Sequence, residues 1–168
     1  MSKIVIVGSG RIAWHLGKRL KAKGLQVAQV LSRTAENAEA LGEALHAPWS
    51  ADWTDVLPDA DWLLIAVRDD AIEPVARALA PLVPDALATH TSGATPGAVL
   101  QPHFSRFGVF YPLQSFSFER TPVWSKIPFC VDAQSDEDVL FLKKNAKIIG
   151  NLVYRVNDEQ RSTLHVAA

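Results

Sequence analysis

Ile4-Val5-Ile6-Val7 is a run of four β-formers, and it leads without a break into Gly8-x-Gly10-x-x-Ala13. Helical spacing begins at once. Ile12, Ala13, Leu16 and Leu20 share one face, and Gly24 stands where a C-terminal cap belongs. A strand, a glycine turn and a helix in this order specify the first half of a β-α-β unit. Gly8 allows the tight turn, Gly10 lets backbone approach an anion, and Ala13 is small enough for the helix to lie close to the strand. The helix N-terminus adds free N–H groups and the positive end of its dipole. Gly8, Ser9, Gly10, Arg11 and Ile12 are thus the expected cradle for a dinucleotide pyrophosphate. The competing reading is a glycine-rich turn in an α/β protein that binds no nucleotide.

The end of the second strand bears on which dinucleotide. Residues 26–31 read as that strand, and Ser32-Arg33-Thr34 follows, with no acid before Glu36. A site for NAD usually places Asp or Glu here to accept from the ribose 2′-OH. A carboxylate would repel a 2′-phosphate, whereas a guanidinium and two hydroxyls would hold it. Ser32, Arg33 and Thr34 therefore favour NADP(H), with Arg33 able to stack on adenine and Arg11 able to add a second charge. The plainer role for Arg33 is a solvated arginine before a helix capped by Thr34. The missing acid also counts against S-adenosylmethionine.

Downstream, strands and helices continue to alternate. Residues 34–45 read as a helix with Ala38, Leu41 and Leu45 inward. Residues 46–58 are irregular, with two tryptophans and room for one helical turn. Residues 62–67 form a continuous apolar strand, as expected when both faces of a parallel sheet are covered. Asp70 is the expected cap of the next helix, with Pro74 in its first turn and Pro81 and Pro84 beyond its end. Further strands are expected at 87–91, 107–111, 127–131 and 152–156, with a long helix between Ser135 and Gly150. The fold class is α/β, a doubly wound, mostly parallel Rossmann sheet with helices on both faces. Residues 157–160 then start another helix, on which Arg161, Leu164, His165 and Ala168 share a face. The expectation is a nucleotide-binding domain over 1–156, with 157–168 beginning a helical unit of a larger protein.

Composition narrows the classes. A net charge of −1 offers no surface for nucleic acid or for a membrane. The lone Cys130 excludes an internal disulfide framework, and the first apolar run is too short for a signal peptide. A reducing, cytoplasmic setting is expected. The five histidines show no ligand spacing, so no metal is expected, and no Gly-x-Ser-x-Gly elbow is present.

Ligands in such sheets bind beyond the carboxyl ends of the strands. Three further segments are placed there. Arg68-Asp69-Asp70-Ala71-Ile72, with Val67 before it, could line the cofactor ribose and nicotinamide, Val67, Arg68 and Asp69 being the candidate contacts, or could be a plain helix start capped by Asp70. His90-Thr91-Ser92-Gly93 could relay a proton, with His90 and Ser92 the candidate catalytic residues, or could be a hydrogen-bonded structural turn. Tyr111-Pro112-Leu113-Gln114 could contact substrate through Tyr111 and Gln114, or could be a packed loop.

Taken with Gly8-Ser9-Gly10-Arg11-Ile12-Ala13, the stretch 64–72, the stretch 108–116 and Gln160-Arg161-x-x-x-Leu164-His165-x-Ala167-Ala168, the pattern resembles a bacterial family. Its members are Rossmann-like NADP oxidoreductases with a C-terminal helical domain of unknown function. The family is related to pyrroline-5-carboxylate reductase, ketopantoate reductase and the deazaflavin-dependent NADP oxidoreductases. The resemblance implies an NADP-binding domain, an all-helical dimerisation domain, and an active site between them. On that view Arg161 and His165 could reach the substrate cleft, and the intact protein would be a homodimer acting on a small molecule. The leading expectation is hydride transfer to or from a C=O or C=N group. The alternative is a dinucleotide-binding module or redox sensor without turnover.

Overall fold

The structure, a computed structural model describing residues 1–167, contains one eight-stranded sheet. The chain runs β1 (Ile4–Val7), α1 (Arg11–Ala22), β2 (Val27–Leu31), α2 (Ala35–Leu45), β3 (Trp49–Ser50), β4 (Trp62–Ile65) and α3 (Asp69–Leu79). It continues through β5 (Leu87–His90), β6 (Phe107–Pro112), β7 (Pro128–Ala133), α4 (Asp136–Ile149), β8 (Leu152–Arg155) and α5 (Asp158–Ala167). The strand order is β3-β2-β1-β4-β5-β6-β7-β8. All neighbours are parallel except β6 and β7.

The unbroken apolar runs follow from this layering. A strand turns alternate residues to opposite faces, and here both faces are covered. Ile4 and Ile6 join α1, α2 and α4 through Leu16, Leu20, Leu41, Leu142 and Ile149. Val5 and Val7 join α3 on the other side through Ile72, Val75 and Leu79. Trp62, on β4 beside β1, is fully buried. Its indole N–H donates to the Thr89 hydroxyl at 2.9 Å, and its ring meets Phe110 and Phe141 edge-on.

Several boundaries differ from the sequence expectation. α3 begins at Asp69 with Arg68 as its cap residue, so Asp70 lies inside the first turn, where its negative charge complements the positive end of the helix dipole. Thr34 does precede α2, but its side chain makes no capping bond. Ser135 caps α4 as expected, accepting from the Asp138 N–H at 3.1 Å. The irregular stretch adds the short edge strand β3 and one 3-10 turn, Trp53–Asp55. On α5, Arg161 is buried while Leu164 and His165 are not; Ala168 lies outside the described residues. No helix among the described residues is long and apolar enough to cross a membrane.

The central place of Trp62 sets an expected outcome. Trp62→Ala should lower unfolding free energy by about 4 kcal/mol in urea denaturation, from lost burial and an unfilled cavity. Trp62→Phe should cost less but leave the buried Thr89 hydroxyl without its donor.

Candidate functional site

The β1–α1 turn is built by close backbone approach. Gly8 has φ +116°, and a Cβ there would stand 2.2 Å from the Ala66 carbonyl oxygen. Its N–H donates to the Leu31 carbonyl at 2.7 Å, locking the turn to the end of β2. Gly10 caps α1, and nothing lies within 4 Å of where its Cβ would be. The first turn of α1 carries no acid. Its unsatisfied N–H groups therefore open onto free space with no carboxylate beside them.

That space is a cavity of about 360 Å³. One side comes from Gly8, Ser9 and Gly10, another from Ser32, Arg33 and Thr34, and a third from Ala66, Val67 and Arg68. Ser9 and Ser32 share a hydrogen bond of 2.6 Å between their hydroxyls, joining the glycine turn to the end of β2. Arg11 and Arg33 are both exposed, and neither forms an ion pair among the described residues. No Asp or Glu lines the cavity. An open glycine cradle, a helix N-terminus and an unpaired arginine fit an anionic dinucleotide, including one with a phosphate on its ribose.

Among the lining residues that the sequence analysis did not single out are Asn37, one turn into α2, and Trp53, from the 3-10 turn. Asn37 had a signal in its helical spacing from Thr34. Trp53 had none, since it arrives from a separate loop. Gln29 fixes that loop, donating to the Asp55 carbonyl at 2.7 Å and accepting from the Leu57 N–H at 2.9 Å. Ile12, in the first turn of α1, packs against the core, and Asp69 does not line this cavity.

The segment after β5 is knotted upon itself. His90 is buried, and both ring nitrogens are occupied: Nδ1 accepts from the Ser92 N–H at 3.0 Å, and Nε2 bonds the Pro96 carbonyl at 3.2 Å. Burial lowers the His90 pKa from 6.5 to about 4, with the charge of Arg161 adding to the effect and the Pro96 carbonyl opposing it. The Ser92 hydroxyl accepts from the Ala94 and Thr95 N–H groups and bonds the Thr95 hydroxyl. These commitments match the structural turn better than a proton relay.

Arg161 ties α5 to the same segment. Its guanidinium donates to the Ser92 and Thr95 carbonyls and to Asp158, which also accepts from the Gly97 N–H. At 1% exposure Arg161 is a clamp with no face left for a ligand, which departs from its expected place in a substrate cleft. One turn further on, His165 Nδ1 shares a 2.8 Å hydrogen bond with the Tyr111 hydroxyl. Gln114 is exposed and lines a separate hollow with Phe116, Arg120 and Lys126, away from that pair.

Comparison with known proteins adds to this geometry. Residues 3–90 match the family described as NADP oxidoreductase, coenzyme F420-dependent. No curated protein matches the chain. A Bacteroides fragilis crystal structure, described as a candidate NADP oxidoreductase, is 37% identical with a TM-score of 0.94, over 99% of this chain and 64% of that one. Prephenate dehydrogenase from Aquifex aeolicus, in complex with hydroxyphenyl propionate and NAD+, is 15% identical with a TM-score of 0.79, over 96% and 62% of the two chains. Pyrroline-5-carboxylate reductase from Coxiella burnetii is 17% identical with a TM-score of 0.77, over 94% and 60%. The last two likenesses show a common fold. The chain spans less than two thirds of the length of each of the three.

The His90 environment has a measurable consequence. The unfolded chain binds a proton that folded His90 refuses, so stability rises with pH between about 4 and 6.5. Lowering the pH through that window should cost roughly 3 kcal/mol of unfolding free energy. Urea titrations at several pH values should show this slope, and His90→Asn should flatten it.

Proposed function

The chain belongs to the family described as NADP oxidoreductase, coenzyme F420-dependent, and on that premise we propose that it is the nucleotide-binding part of an NADP(H)-dependent oxidoreductase. The observation that carries the cofactor choice is the end of β2. Ser32, Arg33 and Thr34 line the cavity, no carboxylate does, and Arg33 has no ion-pair partner among the described residues. A ribose 2′-phosphate would meet a guanidinium and two hydroxyls there. A ribose hydroxyl would find no acceptor of the usual kind.

Gly8, Ser9, Gly10, Arg11 and Ile12 would hold the pyrophosphate by backbone N–H groups and the α1 dipole. Ser32, Arg33 and Thr34 would hold the 2′-phosphate, with Asn37 beside them and Val67 and Arg68 along the opposite wall. When bound, the nicotinamide supplies or accepts a hydride at a small C=O or C=N substrate. The protein supplies orientation and charge. Residues 1–156 form the nucleotide unit in this reading. Residues 157–168 begin a helical unit that would complete the substrate cleft and pair two subunits in a cytoplasmic homodimer. His90 and Ser92 serve to hold the loop beside that cleft.

The saturated hydrogen bonds of His90 and Ser92 favour one second reading, a dinucleotide-binding module or redox sensor without turnover. Imines, ketones and hydroxy acids can be screened with the protein at the nicotinamide absorbance band. Turnover with any class supports the oxidoreductase, and binding without turnover supports the sensor.

The 2′-phosphate assignment predicts selectivity. Arg33→Ala should weaken NADPH by roughly tenfold to a hundredfold, the loss of one or two charge-assisted hydrogen bonds. NADH should change by no more than about twofold, since it makes no such bond. Fluorescence titration of the bound reduced nucleotide reads both. Equal losses would mean that Arg33 does not read the phosphate.

A further inference from the structure

The order of the strands says where the other end of a bound dinucleotide must go. The 2′-phosphate residues lie at β2 and the glycine turn lies at β1. The nicotinamide half of a bound dinucleotide would therefore run the opposite way, over the ends of β4 and β5 toward β6. A nicotinamide riboside is on the order of 10 Å long, about two strand spacings of 4.8 Å. It would end among Asp69, the segment after β5, and the end of β6.

Most polar groups in that neighbourhood are already committed. His90, Ser92 and Arg161 are spent on the loop. Burial raises the Cys130 thiol and the Tyr111 phenol, so both stay protonated. His165 is different. The residue is exposed, Nδ1 bonds Tyr111, and Nε2 has no partner among the described residues. Tyr111 and His165 also stand edge to face, with centroids 5.8 Å apart. Gly93 makes room for this: a Cβ there would lie 2.4 Å from His165 Nδ1 and 2.5 Å from Cγ. The glycine of His90-Thr91-Ser92-Gly93 thus has a purpose that its own neighbours do not explain.

We propose that His165, oriented by Tyr111 and admitted by Gly93, is the group that gives and takes the proton accompanying hydride transfer. The proposal rests on the NADP(H) reading above. In the reductive direction bound NADPH would supply a hydride to the substrate carbon, the π electron pair of C=O or C=N would move to the heteroatom, and the residue's part is the proton. Protonated His165 keeps its Nδ1–H on the Tyr111 oxygen and gives its Nε2 proton to that heteroatom. The products are NADP+, the reduced substrate and a neutral imidazole, which solvent reprotonates. Oxidation runs the same path backwards, with bare Nε2 as the base. The titratable and charged groups that act on Tyr111 are Cys130 on β7, Arg161 on α5 and Asp69 on α3. Tyr111 is a positioning residue in this scheme.

The test reads His165 directly, without a substrate. Ring nitrogen resonances of 15N-labelled protein are recorded free, with NADP+ and with NADPH, using His165→Gln for assignment. The oxidised nicotinamide carries a positive charge that the reduced one lacks, so a nearby imidazole must sense the difference. The His165 Nε2 resonance should differ by several ppm between the two complexes, while His46, at the far end of α2, should not move. Tyr111→Phe should preserve the redox response and lose the hydrogen-bonded position of Nδ1. If both nucleotides bind by calorimetry and His165 reads the same in each, the proposal is overturned while the cofactor reading stands. If neither binds, both fall.

Discussion

The contact on which the rest of the molecule depends is the one between Gly8 and Ala66. β1 and β4 lie side by side at the centre of the sheet, and where the chain leaves β1 its backbone passes over the Ala66 carbonyl with no room for a side chain. This approach, with the Gly8 N–H held by Leu31, fixes the direction of the turn into α1. α1 then presents its N-terminus to the cavity. Because β2 ends beside the same turn, the Ser9–Ser32 hydrogen bond brings Arg33 to the cavity's edge. One tight backbone crossing thus sets the anion cradle, its charge and its register with the next strand.

A second knot, between the end of β5 and α5, depends on buried polar groups. His90, Ser92, Asp158 and Arg161 satisfy one another and the carbonyls of residues 92–96, which lets a polar segment lie under α5 at low exposure. Removing one member of such a network strands the others without partners. The network also decides what remains for chemistry. It consumes the groups that look reactive in the sequence and leaves His165 Nε2 outside it.

How much of this was legible follows from separation along the chain. The glycine turn and Ser32-Arg33-Thr34 could be read because each acts through residues within a few positions of one another. The layering could be read because parallel strands covered on both faces are continuously apolar. The antiparallel entry of β7 could not, since an apolar run carries no direction. His90 looked like a proton relay because its partners, the Ser92 N–H and the Pro96 carbonyl, are backbone groups that no residue pattern announces. Trp53 reaches the cavity from a loop, and Tyr111 meets His165 across 54 positions. Spacing rules do not reach that far.

The central claim is that the cavity at the α1 N-terminus holds a dinucleotide and reads its 2′-phosphate. Calorimetric titration of the unaltered protein with NADPH and, separately, with NADH tests it most directly. The account predicts that NADPH binds at least about tenfold more tightly than NADH, a difference of about 1.4 kcal/mol. Equal affinity for the two, or binding of neither, would contradict it.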